Sequence, residues 1–301
     1  MWTKEMDLSW SNLTVSTEKS CTQKSRPILQ NVSGVAKSGE LLAIMGTSGA
    51  GKTTLLNTLL YQNMYGLEVT HGTRYLNGIK TNANMMTCLA GYVPQSDILI
   101  GTLKVREHLE FLATLKLGNF SKVERQKRID ELLIQFGLKK CENTVIGVRG
   151  QVKGISGGEM RRLSFVSEIL AKPSLLLCDE VTTGLDSWMA ENVVGQMRQL
   201  AKAENKTVVC VIHQPSAEVF RLFDRVLLMS QGKVAFMGKV SEAETFFNDL
   251  GFPCPLTFNH ADHYIFKLSM VPRHEEEYEQ RCQYICQSYA TSKYSKYTYI
   301  Q

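Results

Sequence analysis

Residues 46–53 read GTSGAGKT and separate an apolar segment, residues 39–45, from a segment with a broad apolar helical face, residues 53–61. The three glycines allow successive backbone N–H groups to point at phosphate oxygens, and the following helix directs its positive end toward them. Lys52 is placed to reach the β- and γ-phosphates, and the Thr53 hydroxyl is suited to Mg²⁺. A chance glycine-rich turn is the alternative, but the full match between strand and helix favours a nucleotide-binding loop made of Gly46, Thr47, Ser48, Gly49, Ala50, Gly51, Lys52, Thr53 and Thr54.

Two acids, Asp179 and Glu180, follow a second apolar segment, residues 174–178. Beside a phosphate loop, Asp179 is suited to hold Mg²⁺ through water. Glu180 is suited to orient and polarise an attacking water molecule. The alternative is a solvated loop in which neither acid has a role.

Gln95 and His213 each follow a predicted strand. Gln95 could contact both Mg²⁺ and the attacking water, and His213 could hydrogen-bond to a γ-phosphate. Such residues are usually structural, but α/β proteins bind their ligands at the carboxyl ends of sheet strands. We therefore expect both in the site, with Gln95 as a metal ligand beside Thr53 and Asp179.

A polar segment at the start of a helical pattern is a further candidate, and it comprises Ser156, Gly157, Gly158 and Glu159. The Ser156 hydroxyl and the first backbone amides of the helix suit a γ-phosphate for the same dipole reason as the first loop.

Strand and helix patterns alternate along the chain. Strands are predicted at residues 8–15, 39–45, 73–79 and 90–93, and again at 174–178, 207–212, 225–229 and 233–237. Helical patterns fill the stretch between the two groups, with Ser121 and Glu124 as a capping box. A second box is predicted at Ser241 and Glu244.

This alternation predicts an α/β fold with a central mixed sheet and a helical insertion. Its predicted units are a discontinuous nucleotide-binding core at 1–95 and 172–240, a helical subdomain at 96–171, an extension at 241–272, and a flexible tail at 273–301.

The amino-acid composition indicates which broad class of protein this chain belongs to. The chain of 301 residues has 44% hydrophobic and 21% charged residues, and its net charge is +5. These values are typical of a globular protein with a solvated mixed surface, and no nucleic-acid partner is expected. No apolar run approaches the roughly 18 residues of a spanning helix, and residues 1–11 do not resemble a signal peptide. We therefore expect the chain alone to be cytoplasmic.

Eight cysteines are scattered along the chain, and only Cys282 and Cys286 are close together, one helical turn apart. No second pair completes a metal-ligand set, so reduced thiols are expected.

The order of these segments resembles that of the ABC ATPases. They correspond to the Walker A loop, Q-loop, signature, Walker B strand, D-loop (Gly184, Leu185 and Asp186) and H-loop of that family. The resemblance implies ATP and Mg²⁺ as ligands. It also implies a head-to-tail dimer with a second nucleotide-binding domain, in which the Ser156 segment completes the partner's ATP site.

Finer features are similar to the G subfamily, and to its White-type half-transporters in particular. The similar segments are residues 91–95, 105–109, 152–159 and 212–216, together with 258–264, which resembles a motif just ahead of the membrane domain. The resemblance covers residues 6–272 and implies a truncated chain, with a membrane domain in the full-length protein and this part at the cytosolic face of a membrane.

Several residues depart from the family pattern. Val181 replaces a proline and Thr183 a serine near the D-loop, and His260 and His263 replace proline and phenylalanine in the membrane-proximal motif. Near residues 15–17 there is no aromatic residue to stack on adenine, so no adenine contact is assigned.

The leading hypothesis is ATP hydrolysis that powers export of a small or lipophilic substrate after dimerisation. A soluble ABC-type ATPase is the first alternative, although such proteins usually have coiled-coil arms or two cassettes, and this chain has neither. The second alternative is a truncated regulatory product that binds full-length partners and does not itself transport.

Overall fold

Two β-sheets lie in the part of the chain that the structure, a computed structural model, describes: residues 5–18, 25–96, 98–148, 152–269 and 275–296. The strands are β1 (Leu8–Thr17), β2 (Pro27–Ala36), β3 (Leu41–Gly46), β4 (Leu67–Leu76), β5 (Ile79–Lys80), β6 (Ala90–Val93), β7 (Leu175–Asp179), β8 (Thr207–Val211), β9 (Arg225–Ser230) and β10 (Lys233–Lys239). Six of them form a sheet in the order β10-β9-β3-β8-β7-β6, and four form a sheet in the order β2-β1-β4-β5.

The six-stranded sheet is the centre of the core. Strands β9, β3, β8, β7 and β6 run parallel, whereas β10 pairs antiparallel with β9 at one edge. All residues of β3, β7, β8 and β9 are buried, as expected for parallel strands covered on both faces. The central mixed sheet is thus confirmed.

The four-stranded antiparallel sheet extends further than predicted. β2 has no counterpart among the predicted strands, because polar Gln30, Asn31 and Ser33 interrupt its apolar alternation. Its register comes from β1, where Val35 pairs with Ser9 and Gly34 with Trp10. A Cβ at Gly34 would lie 2.4 Å from the Trp10 ring, so this glycine lets the two strands close over the indole.

Helices pack against the large sheet. They are α1 (Lys52–Leu60), α2 (Ala83–Leu89), α3 (Val105–Lys116), α4 (Lys122–Gln135), α5 (Gly157–Ile169), α6 (Ser187–Glu204), α7 (Ala217–Phe220), α8 (Val240–Asp249), α9 (His260–Leu268), α10 (Glu275–Thr291) and α11 (Lys293–Lys296). Helices α3, α4 and α5 lie between β6 and β7, where the helical insertion is predicted. Within the described ranges, no helix combines the length and apolar character needed to span a bilayer.

One predicted capping box is confirmed and the other is wrong. At α4, the Ser121 N–H donates to the Glu124 carboxylate at 2.8 Å, and the Glu124 N–H donates to the Ser121 hydroxyl at 3.3 Å. Helix α8 instead begins at Val240, and the Lys239 N–H donates to Glu242 Oε2 at 2.7 Å. The cap therefore lies two residues earlier than predicted, because β10 runs directly into the helix, which leaves Ser241 inside the first turn.

The segment predicted as a flexible tail contains α10 and α11, so that prediction is wrong for residues 275–296; residues 273–274 and 297–301 lie outside the described residues. Buried side chains recur along one face of α10, at Tyr278, Cys282, Ile285 and Tyr289. The Tyr278 hydroxyl donates to the Leu268 carbonyl at 2.7 Å, and the Tyr289 ring lies 6.0 Å from that of Phe236 on β10. The polar composition of this segment hides the apolar stripe, since tyrosine supplies much of the buried surface.

We expect Ile285→Ala to destabilise the protein by about 2–5 kcal/mol, because it deletes a fully buried side chain and leaves a cavity under α10. The neighbouring Tyr284 is 49% exposed on the same helix. Tyr284→Ala should change the free energy of unfolding by less than about 0.5 kcal/mol. Urea denaturation measures both, and equal effects of the two changes would show that α10 is not docked.

Candidate active site

The candidate residues meet at the carboxyl edge of the parallel strands. Gly46 ends β3, Asp179 ends β7, and Gln95 and His213 each follow their strands, β6 and β8, by two residues. The register aligns these ends, with Val211 paired to both Ile44 and Asp179. Segments that are far apart in the sequence are therefore brought together by strand pairing.

The glycine loop turns sharply between β3 and α1. Gly49 and Gly51 have φ of 74° and 94°, values that favour glycine. A Cβ at Gly46 would lie 2.3 Å from the Met229 carbonyl oxygen, and one at Gly51 would lie 2.7 Å from Leu29. The loop is thus closely packed by β9 and β2 on one side, while Ser48 and Gly49 are exposed on the other.

Lys52, the first residue of α1, folds back over the loop. Its Nζ donates to the Gly46 and Thr47 carbonyls at 3.0 and 2.8 Å, and the residue is only 6% exposed. Burial lowers the pKa of Lys52, and the nearby Glu180 and Asp179 oppose that shift. A phosphate oxygen at this loop would give the ammonium the anionic partner that neutral carbonyls do not supply.

Two of the predicted metal ligands are in contact. The Thr53 hydroxyl donates to Asp179 Oδ1 at 3.3 Å. Burial raises the pKa of Asp179, which is 2% exposed; Glu180 acts in the same direction, and the Thr53 hydrogen bond and Lys52 oppose it. A hydroxyl and a buried carboxylate are hard oxygen donors of the kind Mg²⁺ prefers, so these residues fit a magnesium ion.

Glu180 is bracketed by the other two catalytic candidates. One carboxylate oxygen lies 3.1 Å from His213 Nε2, and the other accepts from Gln95 Nε2 at 2.5 Å. Gln95 therefore contacts Glu180, and the predicted metal contact of Gln95 stays a prediction. The Glu180 backbone has φ of 50°, which is unusual for a residue with a side chain, and its N–H donates to the Val211 carbonyl at 3.0 Å.

Ser156 caps α5. Its N–H donates to Glu159 Oε2 at 2.8 Å, and its hydroxyl accepts from the Glu159 N–H at 3.3 Å. Ser156 and Gly157 are exposed, whereas Gly158 is buried. Among the described residues, no hydrogen bond or ion pair joins 156–159 to the loop at 46–54, so within one chain these two phosphate-binding candidates are not brought together.

Asp186 caps α6 by accepting from the Met189 N–H at 2.8 Å. The Met189 sulfur fills the space beside Gly158. A Cβ added at Gly158 would lie 2.5 Å from that sulfur. The helix that Asp186 caps is thus in contact with the predicted signature segment within the chain.

Two residues at this edge were not predicted. The buried Arg161 donates to backbone carbonyls at residues 94 and 179–181. Asn259, at the start of α9, donates to the Pro215 carbonyl at 2.7 Å and so holds the segment after His213. In the sequence, Arg161 looks the same as Arg162, because both are long basic side chains on one helix.

The departures from the family pattern occupy ordered positions. Val181 is 1% exposed and its carbonyl accepts from Arg161, while the Thr183 hydroxyl lies 3.4 Å from Glu180 Oε2. His263 Nε2 lies 3.1 Å from the Phe252 carbonyl oxygen.

Two family models match the chain: an ABC transporter model at residues 29–183 and an ABC-2 type transporter model at residues 213–293. Protein white of Drosophila melanogaster is 48% identical over 271 residues, which are 89% of this chain and 39% of that protein. Protein wht-1 of Caenorhabditis elegans, an ABC transporter ATP-binding protein/permease, is 47% identical over 82% of this chain and 37% of its own length. The chain thus spans about two fifths of these relatives.

Solved structures are similar as well. A dimeric ATP-binding cassette in a post-hydrolysis state, bound to ADP and Pi, matches with a TM-score of 0.64 and 28% identity over 77% of this chain and 98% of that one. A second dimeric structure, of a bacterial ABC transporter cassette, matches with a TM-score of 0.64 and 29% identity over the same shares.

Gly46→Ala should destabilise the protein by about 3 kcal/mol or more, because the new methyl group would meet the β9 backbone at a carbonyl that cannot move independently. Gly49→Ala has no atom within 4 Å of its Cβ and a φ of 74°, so its cost should be about 1–2 kcal/mol of backbone strain. Urea denaturation of the two variants compares them. If Gly46→Ala were the milder change, the close approach of loop and β9 would be wrong.

Proposed function

The chain belongs to the ABC transporter family, and we propose that it binds and hydrolyses ATP as the nucleotide-binding part of a White-like G-type half-transporter. The observation that carries the proposal is the contact of Glu180 with both Gln95 and His213, at the edge where Lys52 and Asp179 also lie. A phosphate-binding loop alone would fit many nucleotide enzymes. An acid held between two polar residues beside that loop fits hydrolysis.

The loop at 46–54 would bind the phosphates. Its backbone amides and the positive end of α1 would attract the phosphates, and Lys52 would exchange two neutral carbonyls for phosphate oxygens. Thr53 and Asp179 would hold Mg²⁺, which when bound neutralises charge on the β- and γ-phosphates.

Glu180 would orient the attacking water. The carboxylate accepts a hydrogen bond from that water, which attacks the γ-phosphorus while the bond to the ADP oxygen breaks. The water's proton is accepted by Glu180 or by the released phosphate. Gln95 and His213 contact the two carboxylate oxygens and would fix the direction of the acid.

The start of α5 would act on the ATP of a second nucleotide-binding domain. Its exposed residues, Ser156 and Gly157, present a hydroxyl and helix amides that the loop of the same chain does not use. The two similar solved cassettes are dimeric, which supports a head-to-tail dimer with this or a related chain.

Transport is proposed for the full-length protein. The curated relatives are more than twice as long as their match, and one of them is named as an ATP-binding protein/permease. This supports a membrane domain in addition to the present chain, export of a small or lipophilic substrate, and a location at the cytosolic face of a membrane. These relatives give no support to a soluble ATPase.

Glu180→Gln should lower kcat for ATP hydrolysis by about 10²- to 10⁴-fold, because the amide cannot accept the water's proton. The affinity for ATP should stay within about twofold, since the phosphate loop is unchanged. Steady-state hydrolysis and binding of a fluorescent ATP analogue measure the two effects. Glu191→Gln, an exposed acid on α6, is the matched control and should retain the wild-type rate. A Glu180→Gln protein with the wild-type kcat would refute the assignment.

A further inference from the structure

The guanidinium of Arg161 lies under the loop that carries Glu180, although the side chain starts from α5. Its Nε donates to the Val181 carbonyl at 3.2 Å and Nη1 to the Pro94 carbonyl at 2.8 Å. Its Nη2 donates to the carbonyls of Asp179 and Glu180 at 3.1 and 3.0 Å. The residue is 5% exposed, so these bonds are made away from bulk water.

The four carbonyls share a location. Three are consecutive and surround the catalytic acid, and the fourth belongs to the residue immediately before Gln95. Because the side chains of Gln95 and Glu180 are themselves in contact at 2.5 Å, one guanidinium holds the backbone on both sides of that pair.

Glu180 needs such support. The ladder of β7 ends at Asp179, and the next residue adopts φ of 50°, outside the strand conformation. The orientation of the carbonyls at 179–181 sets the direction of the Glu180 side chain. A planar fork of N–H donors can hold carbonyls that face it from several directions, whereas the single ammonium of a lysine cannot.

We propose that Arg161 is a positioning residue for ATP hydrolysis: it fixes the backbone that carries Glu180 and Gln95 and joins it to the helix that Ser156 caps. The inference rests on the proposed function, because it gives Arg161 a part in that reaction. Arg161 acts through Glu180 and Gln95, and it touches neither nucleotide nor water in this role.

The test compares Arg161→Met and Arg161→Lys with Arg128→Met. Arg128 is also a largely buried arginine that donates to a carbonyl of α5, but at the opposite end of the helix, where Nη2 lies 3.2 Å from Ile169 O. We measure kcat and KM for MgATP and the thermal midpoint of each variant. Both Arg161 variants should lose kcat about 10- to 100-fold with KM within about twofold, since a displacement of about 1 Å costs that much. Arg128→Met should keep kcat while it loses thermal stability.

The inference is overturned if Arg161→Met has the wild-type kcat, or if Arg128→Met loses as much kcat as Arg161→Met. Should Arg161→Met fail to fold, Arg161→Lys carries the same comparison. A wild-type protein that hydrolyses no ATP would instead refute the proposed function.

Amide hydrogen exchange tests whether Arg161 holds the backbone around Glu180, and it does so independently of hydrolysis. The N–H groups of Glu180 and Thr183 donate to the Val211 and Glu180 carbonyls. They should exchange faster in the Arg161 variants than in Arg128→Met, and equal rates would contradict the inference.

Discussion

The parallel pairing of β3, β8, β7 and β6 is the constraint on which the rest of the structure depends. It aligns Val211 with both Ile44 and Asp179, and Val93 with Cys178. The phosphate loop, the acidic pair, Gln95 and His213 follow these strand ends, so the sheet register sets their spacing. Strands β3, β7 and β8 are buried on both faces, and their apolar packing holds a charged edge that could not assemble on its own.

Two side chains and one backbone position at that edge are in energetically unfavourable states. Burial lowers the pKa of Lys52 and raises that of Asp179, so each is disfavoured in its charged form. The backbone of Glu180 is in the left-handed region, which is unfavourable for a residue with a side chain. Phosphate oxygens and Mg²⁺ would provide the opposite charges that Lys52 and Asp179 need. Without ligands the site holds these groups in unfavourable states, and ATP with Mg²⁺ would relieve them. Such a site is suited to bind ATP and to change when ATP is lost.

Sequence patterns were sufficient to predict features that depend on neighbouring residues alone. The glycine loop, the acidic strand end and the alternation of strands and helices predicted the α/β fold and the edge at which the candidate residues lie. Where the signal depends on tertiary contacts, sequence patterns were not sufficient. The β2 strand follows its pairing with β1, α10 is held by tyrosines that look polar in the sequence, and the position of Arg161 is visible only once α5 is packed against β6 and β7. The capping box at Ser241 failed because β10 leaves no loop before α8.

In the proposed dimer, the exposed start of α5 in one chain and the glycine loop of its partner form one nucleotide site, so two chains are needed to complete it. The most direct test mixes Lys52→Ala chains with Ser156→Arg chains. In a mixed dimer one composite site carries both lesions and the other carries neither. We expect that neither variant hydrolyses ATP alone and that the mixture does. A mixture that stays inactive while the wild type is active, or full activity of Ser156→Arg by itself, would contradict it.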